Sequence, residues 1–280
     1  MSELDEATLV ELEVVAVELA RLAAAEIQTA LGRELAIRYK GAAERQGPGR
    51  YRDPASEADE RIERLIRDRL AELFPEHGVV GEEMATVVGE SDAPIWVIDP
   101  IDGTANFVNG LPLFAASIGI MHRGVPVVGA VWCSTSHELR HGVYHAHRGG
   151  PLRFDESPMT LRAHADLRRH LAGEPDPTVG EGLHWEVRKT GSASIECAFV
   201  AAGLLRVARF DAPHLWDVAA GIACAQAAGH QVHEFVDGAW RPLEAVAATA
   251  IPSWRRPVII GEGDAVEMLI QARSAQPLRS

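Results

Sequence analysis

The chain reads as an α+β first half followed by an α/β second half, and three observations predict this. Apolar residues recur at helical spacing near the N-terminus (Leu9, Leu12, Val15, Leu19, Leu22) and again at Ile62, Leu65, Ile66, Leu70 and Leu73. Strand-type runs then follow one another from Ile95 to about 147. Beyond Gly149-Gly150, helical and strand patterns alternate to the end. A length of 280 residues suits one large domain or two moderate ones, and the boundary is expected at that glycine pair, giving domains 1–149 and 150–280.

The first helix is expected over about 4–31, closed by Gly32. Residues 41–54, GAAERQGPGRYRDP, form a charged loop rich in Gly and Pro, of the kind that serves as a lid or binding loop. A second helix runs from about Ser56 to Phe74. Ser56 caps it, Asp59 puts an acid near its positive end, and Pro75 ends it. A short strand, Gly78 to Val80, delivers Gly81-Glu82-Glu83. Ile95-Trp96-Val97-Ile98 is a strand that stops at Asp99-Pro100, and a short helix starts at Thr104. Strands follow at about 114–122, 125–133 and 139–147, the first two joined by a hairpin turn at Arg123-Gly124. Residues 149–180 are rich in Gly, Pro and charge and show no period. Helices at about 192–203, 215–228 and 263–273 then alternate with strands at about 205–210, 231–236 and 257–261. No internal repeat is present.

The formal net charge is -13, and no basic stripe offsets it, so a nucleic-acid partner is not expected. An acidic chain handles an anionic substrate when bound cations reverse the local field. Cys133, Cys197 and Cys224 are widely spaced in apolar runs, which reads as buried reduced thiols in a reducing compartment. The N-terminal stretch MSELDEATLVELEVV lacks the basic and apolar regions of a signal peptide, and no apolar run suits a membrane helix. The expectation is a soluble, cytoplasmic protein without a membrane partner.

The chemistry is concentrated in Asp99-Pro-Ile-Asp-Gly-Thr-Ala-Asn-Phe107. An apolar strand ends in two carboxylates three residues apart. Pro100 fixes the backbone between them. Asp99, the Ile101 carbonyl and Asp102 are hard oxygen donors, suited to Mg2+. Gly103 lets a ligand approach the backbone, and a helix starting at Thr104 offers free N–H groups to a phosphate. Turn chemistry alone would explain an isolated Asp-x-x-Asp. Here strand, proline, glycine and threonine all agree with metal-assisted phosphoryl chemistry.

Together with Gly81-Glu82-Glu83, Leu215-Trp-Asp217-Val-Ala-Ala-Gly221, Asp53-Pro-Ala-Ser-Glu-Ala-Asp59 and Gly191-Ser192-Ala193, this stretch resembles the inositol monophosphatase family of lithium-sensitive, magnesium-dependent phosphatases. The likeness spans about residues 50–235 and is weak over about 150–185. It implies a layered α-β-α-β-α sandwich, a homodimer, a small phosphate monoester as substrate, and two to three Mg2+ per active site. It further implies that Glu82, Asp99 and the Ile101 carbonyl hold the first Mg2+, that Asp99, Asp102 and Asp217 hold the second, and that Asp59 with Glu82 contributes to a third. By the same resemblance Glu82 and Thr104 position and deprotonate the attacking water, and the amides of Gly103 and Thr104 hold the phosphate. Asp102, Gly191, Ser192, Ala193, Phe210 and Asp217 are the matching substrate-side positions. A plain helix cap is the competing reading of Asp217.

The chain also departs from the family. The Glu that bonds sugar hydroxyls, seven residues before the metal-binding Asp, is replaced by Phe210, which accepts no hydrogen bond. Asp211 is adjacent. The family's Gly-Ile-His reads Ala212-Pro213-His214, and the usual Asn-Gly hairpin is missing from about 150–185. Substrates left open are inositol phosphate, another sugar or polyol phosphate, histidinol phosphate, and a 3'-phosphorylated or bisphosphorylated nucleotide. A non-catalytic binding or regulatory protein on the same scaffold is the alternative. Two further groups read as structural, and a third stays open. His141, His145 and His147 share one strand face, expected to be polar and solvated. Ser134, Ser136 and His137 read as a turn, because no nucleophile elbow surrounds them. Arg188 and Lys189 face either substrate phosphate or a surface partner.

Overall fold

The computed structural model describes residues 3–31, 37–39, 54–90, 92–160, 171–175 and 185–274. Helix α1 (Glu6–Ala30) starts where the Asp5 carboxylate accepts the Thr8 amide at 2.8 Å. Its apolar side, Leu9, Leu12, Ala16, Leu19, Ala23 and Ile27, is buried. A short antiparallel pair, β1 (Ile37–Tyr39) and β2 (Pro54–Ser56), precedes α2 (Glu57–Leu73).

Among the described residues, a seven-stranded sheet then runs in chain order. Its members are β3 (Gly78–Gly81), β4 (Ile95–Asp102), β5 (Ala115–His122), β6 (Val125–Cys133), β7 (Gly142–His147), β8 (Arg153–Phe154) and β9 (Ser157–Pro158). Five-residue α3 (Thr104–Val108) lies between β4 and β5. The β3–β4 pairing is parallel and the rest are antiparallel. The β5–β6 hairpin turns on Arg123 (φ 52°) and Gly124 (φ 80°), the two left-handed residues that a tight primed turn requires.

The second half supplies β10 (Leu171–Gly173), β11 (Glu186–Arg188), α4 (Ala193–Ala201), β12 (Val207–Phe210), α5 (Leu215–Ala227), β13 (Gln231–Val236), β14 (Ala239–Pro242), β15 (Val258–Gly261) and α6 (Gly263–Ser274). Its strands form a six-stranded sheet in the order β11-β10-β12-β15-β13-β14 among the described residues. Helices α1 and α2 cover one face of the first sheet. Helices α4 and α5 lie between the two sheets, and α6 covers the far face of the second. This is a layered α-β-α-β-α fold, with both faces of each sheet covered. Val97 and Met121 of the first sheet share a buried cluster with Val218 and Ile222 of α5 and Val258 of the second sheet.

Helix α5 seats closely on the first sheet because two paired glycines leave room for it. Gly119 faces Gly129 across β5 and β6. A Cβ at Gly129 would fall 2.1 Å from the Ala220 carbonyl oxygen, and one at Gly119 would fall 2.9 Å from the Ala220 amide. On the helix's other side a Cβ at Gly221 would meet Cys197 at 2.2 Å, so small residues also admit α4. The Ala-Ala-Gly run is thus a packing surface that fixes the start of α5.

Several expectations change. Strand β4 does not stop at Asp99 but continues through Pro100 to Asp102. Strands β8 to β11, of two or three residues, lack the length for a period-two signal, and β14 was not read either. His145 and His147 are buried rather than solvated. Their Nδ1 atoms face the two oxygens of Glu13 on α1, the His145 contact being 2.5 Å, and only His141 on that face is exposed. The face meets a helix, and one carboxylate satisfies both rings. Gly32, nearly all of the 41–54 loop, Asp53, and much of the 150–185 stretch lie outside the described residues.

Candidate active site

A β-bulge brings Asp99 and Asp102 together. Residues three apart in a regular strand point to opposite faces. Asp99 pairs with Ser117 and Asp102 with Ala115, so three steps on β4 match two on β5. The extra residue turns Asp102 back to the Asp99 side. Pro100 sits inside the irregularity, where no amide is needed for the ladder. Gly103 follows with φ 89°, a left-handed conformation, and a Cβ there would meet the Leu113 carbonyl oxygen at 3.1 Å. Thr104 opens α3, and its hydroxyl donates to the Ile101 carbonyl at 2.9 Å. Asn106 and Phe107 donate their amides to the Gly103 carbonyl. The amides of the first turn of α3 precede that ladder.

Glu82 is carried by the loop after β3, held from below by α2. Glu63 of α2 is buried, and its carboxylate accepts the Glu83 amide at 2.7 Å and the Met84 amide at 3.2 Å. Arg67, one turn on, pairs with Glu63 at 2.7 Å and donates to the Met84 and Ala85 carbonyls. Gly81 is glycine because a Cβ would lie 2.3 Å from the Glu63 carboxylate. Neither Glu63 nor Arg67 stood out in the sequence, although their spacing of four on one helix face was a readable signal.

The remaining carboxylates come from the starts of α2 and α5, and the start of α4 supplies donors to Asp102. Asp59 is buried in the first turn of α2. Ser192 caps α4, accepting the Ile195 amide, and its hydroxyl donates to Asp102 Oδ2 at 2.7 Å. The Ser194 amide donates to the same oxygen at 2.5 Å. The Ser194 hydroxyl donates to the Asp217 carbonyl at 2.8 Å, and Ser117 donates to the Trp216 carbonyl at 3.0 Å, pinning the first turn of α5. Asp217 closes a capping box there, accepting the His214 amide at 2.7 Å.

Electrostatics make these carboxylates a group. Burial, followed by the negative charges of Glu82, Asp102, Asp217 and Asp59, holds the Asp99 carboxyl well above the ordinary range. Burial and then Asp102 push Asp217 well up, opposed by the hydrogen bond from the His214 amide. Asp102 is raised by burial against the hydrogen bonds from Ser192 and Ser194. Among the described residues, buried Asp99 Oδ1 has no hydrogen-bond partner. A buried carboxylate oxygen left this way, among like charges, is costly without a cation. The donors are all oxygens, with no sulfur or imidazole, a set that fits Mg2+ rather than Zn2+. Among the described residues no group of three or more acidic, histidine or cysteine side chains already stands at metal-binding spacing. Asp102 and Asp217 each commit an oxygen to protein amides instead.

Beside this group lies a cavity of about 220 Å³. Gly191, Ser192, Ala193, Phe210 and Asp217 line it together with Lys189, Glu196, Arg209 and Asp211. Phe210 is mostly buried in the apolar layer between the sheets. Asp211 is exposed and accepts from Arg209, which is buried and also pairs with Glu174 at 2.6 Å. Arg188 pairs with Glu186 at the surface, away from this lining. His137 contacts the Tyr144 hydroxyl at 2.7 Å, Ser136 donates to the Arg140 carbonyl, and Ser134 bonds the Pro112 carbonyl and the Phe114 amide, so the three hold the chain rather than form a catalytic pair. Asn106 went unread as a site residue. Its side-chain amide donates to the Thr190 and Leu113 carbonyls and holds the Gly191 turn against α3.

Known proteins share this architecture. The model of the inositol monophosphatase family matches residues 8–274. An inositol-1-monophosphatase of Rhizobium meliloti (strain 1021) is 33% identical over 219 residues, covering 71% of this chain and 77% of that protein. A probable inositol 1-monophosphatase of Mycobacterium tuberculosis is 34% identical over 219 residues, covering 71% of this chain and 78% of its own. Among solved structures, the inositol monophosphatase of Anabaena superposes with a TM-score of 0.72 at 24% identity, covering 96% of this chain and 98% of that one. Mycobacterium tuberculosis SuhB superposes with a TM-score of 0.66 at 28% identity, covering 95% and 96%.

Proposed function

The chain belongs to the inositol monophosphatase family and is a phosphoric monoester hydrolase, and from that premise we propose that it is a Mg2+-dependent enzyme acting on inositol monophosphate or a related sugar or polyol phosphate. The observation that carries the metal dependence is the gathering of Glu82, Asp102, Asp217 and Asp59 around buried Asp99. Like charges at one place in a protein interior imply a cation that offsets them.

Glu82, Asp99 and the Ile101 carbonyl would hold one Mg2+, Asp99, Asp102 and Asp217 a second, and Asp59 with Glu82 would contribute to a third. Bound there, the ions offset the charge of the phosphate and make water acidic enough to be a nucleophile near neutral pH. Half-buried Glu82 takes the proton of the attacking water. The Thr104 hydroxyl spends its hydrogen on the Ile101 carbonyl, which leaves its lone pairs to accept from the same water and orient it. The amides of Gly103 and Thr104 face the phosphate oxygens, and Gly103 has no side chain to keep them away. The leaving group occupies the cavity beside Ser192 and Asp217. Phe210 gives that cavity an apolar wall, so hydroxyl recognition there differs from that of an inositol-specific site.

The same reading includes a cytoplasmic homodimer. Cys133, Cys197 and Cys224 are buried and free, which suits a reducing compartment. Among the described residues no helix is long and apolar enough to cross a membrane. The homodimer rests on the family likeness alone. Phosphate release from a panel of sugar, polyol and nucleotide monoesters, with Mg2+ and with chelator, tests the proposal. Turnover that needs Mg2+ and disappears in Asp99→Asn is expected. Equal turnover in chelator, or full activity of Asp99→Asn, would overturn it.

A further inference from the structure

A chain of hydrogen bonds runs from the wall of the cavity to the bulge. Glu196, in the first turn of α4, is buried and lines the cavity. Its Oε1 accepts the Thr190 amide at 2.8 Å and lies 3.0 Å from the Thr190 hydroxyl. That hydroxyl accepts the Ser192 amide at 3.2 Å. Ser192 donates its own hydroxyl to Asp102 Oδ2. Glu196 fixes Thr190 by its amide, and the one hydrogen of the Thr190 hydroxyl is shared between Glu196 Oε1 and the Ser192 carbonyl, both 3.0 Å away; either way a lone pair remains for the Ser192 amide, and a Ser192 so fixed aims its hydroxyl at one carboxylate oxygen. Gly173 leaves room for this, since a Cβ there would fall 2.7 Å from Glu196 Oε2. Gly191, with φ 81°, supplies the turn between Thr190 and Ser192.

The cost of the arrangement shows that it is specified. Burial pushes the Glu196 carboxyl up to about 7, against the hydrogen bonds from Thr190 that pull it down. A Leu or Met at this position would fill the same space between α4 and β10 without that cost.

We propose that Glu196 is a positioning residue which, through Thr190 and Ser192, fixes the Asp102 carboxylate in the orientation that binds the second cation. It is outside the set of residues proposed above to hold the cations. This rests on the metal-dependent reading above and deepens it, assigning metal affinity to a side chain outside the ligand set.

Calorimetric titration of the substrate-free protein with Mg2+ tests this, with circular dichroism to establish that each variant is folded. Glu196→Ala and Thr190→Val should each weaken Mg2+ binding about tenfold, and the double variant should be no weaker than either alone, because both cut one chain. Glu196→Gln keeps an acceptor for Thr190 and should recover most of the loss, staying within about threefold of wild type. In assays both variants should need about tenfold more Mg2+ for half-maximal rate, and in Thr190→Val, which lies outside the cavity lining, KM for the phosphate ester at saturating Mg2+ should change less than twofold. Mg2+ affinity within twofold of wild type in Thr190→Val, or losses that multiply in the double variant, would overturn the proposal. Asp99→Asn serves as the reference. If it too binds Mg2+ like wild type, the metal-dependent reading fails; if it loses binding while Thr190→Val does not, the relay alone fails.

Discussion

Glu63 and Asp99 are both buried carboxylates, on adjoining elements, and they sit in opposite company. Glu63 is met by the Arg67 guanidinium and the amides of Glu83 and Met84. Asp99 is met by Glu82, Asp102, Asp217 and Asp59, and among the described residues one of its oxygens has no hydrogen-bond partner. The first arrangement offsets a charge within the chain and holds a loop. The second concentrates like charges around one buried acid. A buried acid with its donors supplied is architecture, and a buried acid among acids is a place for a cation. Glu13 between His145 and His147 belongs to the first kind.

The contrast breaks most visibly in activity. Asp217→Asn keeps a side-chain oxygen to accept the His214 amide but removes the charge, and phosphate release should fall about ten-thousandfold, or ~5.5 kcal/mol in barrier at ~1.36 kcal/mol per tenfold. Near-normal turnover would make Asp217 a cap and nothing more. Glu63→Ala should act on stability instead. It leaves Arg67 buried without its partner and should cost roughly 3–5 kcal/mol in denaturant unfolding. Activity should fall with it, because Glu82 rides on the loop that Glu63 holds.

Gly129→Val sharpens the comparison from the packing side. The added carbon meets the Ala220 backbone, so α5 must shift, at roughly 1–3 kcal/mol of stability, and the displaced Asp217 should lower turnover beyond what that loss explains. The smallest effect is in pH dependence. At Glu13, burial works upward, but hydrogen bonds from His145 and His147 outweigh it, and the carboxyl ends below its usual value. A pKa lower in the folded state contributes stability that is present above the unfolded pKa and lost as pH falls through the folded one. Glu13→Gln should therefore flatten the acid side of the stability profile by roughly 1 kcal/mol. Unchanged acid sensitivity would show that the pairing contributes little.

Much of this was legible in the sequence because chemistry and period coincide there. α1 and α2 announce themselves by apolar spacing, and Asp99-Pro-Ile-Asp-Gly-Thr by its density of special residues. The bulge was not legible. The sequence shows two acids three apart, but only the register of β4 on β5 turns them to one face. The buried fate of His145 and His147 was hidden for a similar reason. A histidine on a strand reads as solvated until α1, more than a hundred residues earlier, brings Glu13 to it. The supporting residues, Glu63, Arg67, Asn106, Thr190 and Glu196, act by long-range hydrogen bonds and carry no local motif. Phe210 was visible as a departure, yet its packing between the sheets and the exposed, Arg209-held Asp211 beside it required the fold.

Thermal unfolding of Asp99→Asn beside wild type, in chelator and in Mg2+, bears on the central contrast most directly. Removing one charge from a crowded cluster should raise the melting temperature in chelator, while the rise that Mg2+ gives wild type should largely vanish in the variant. A variant less stable than wild type in chelator that still gains fully from Mg2+ would mean that Asp99 is an ordinary, well-compensated core acid.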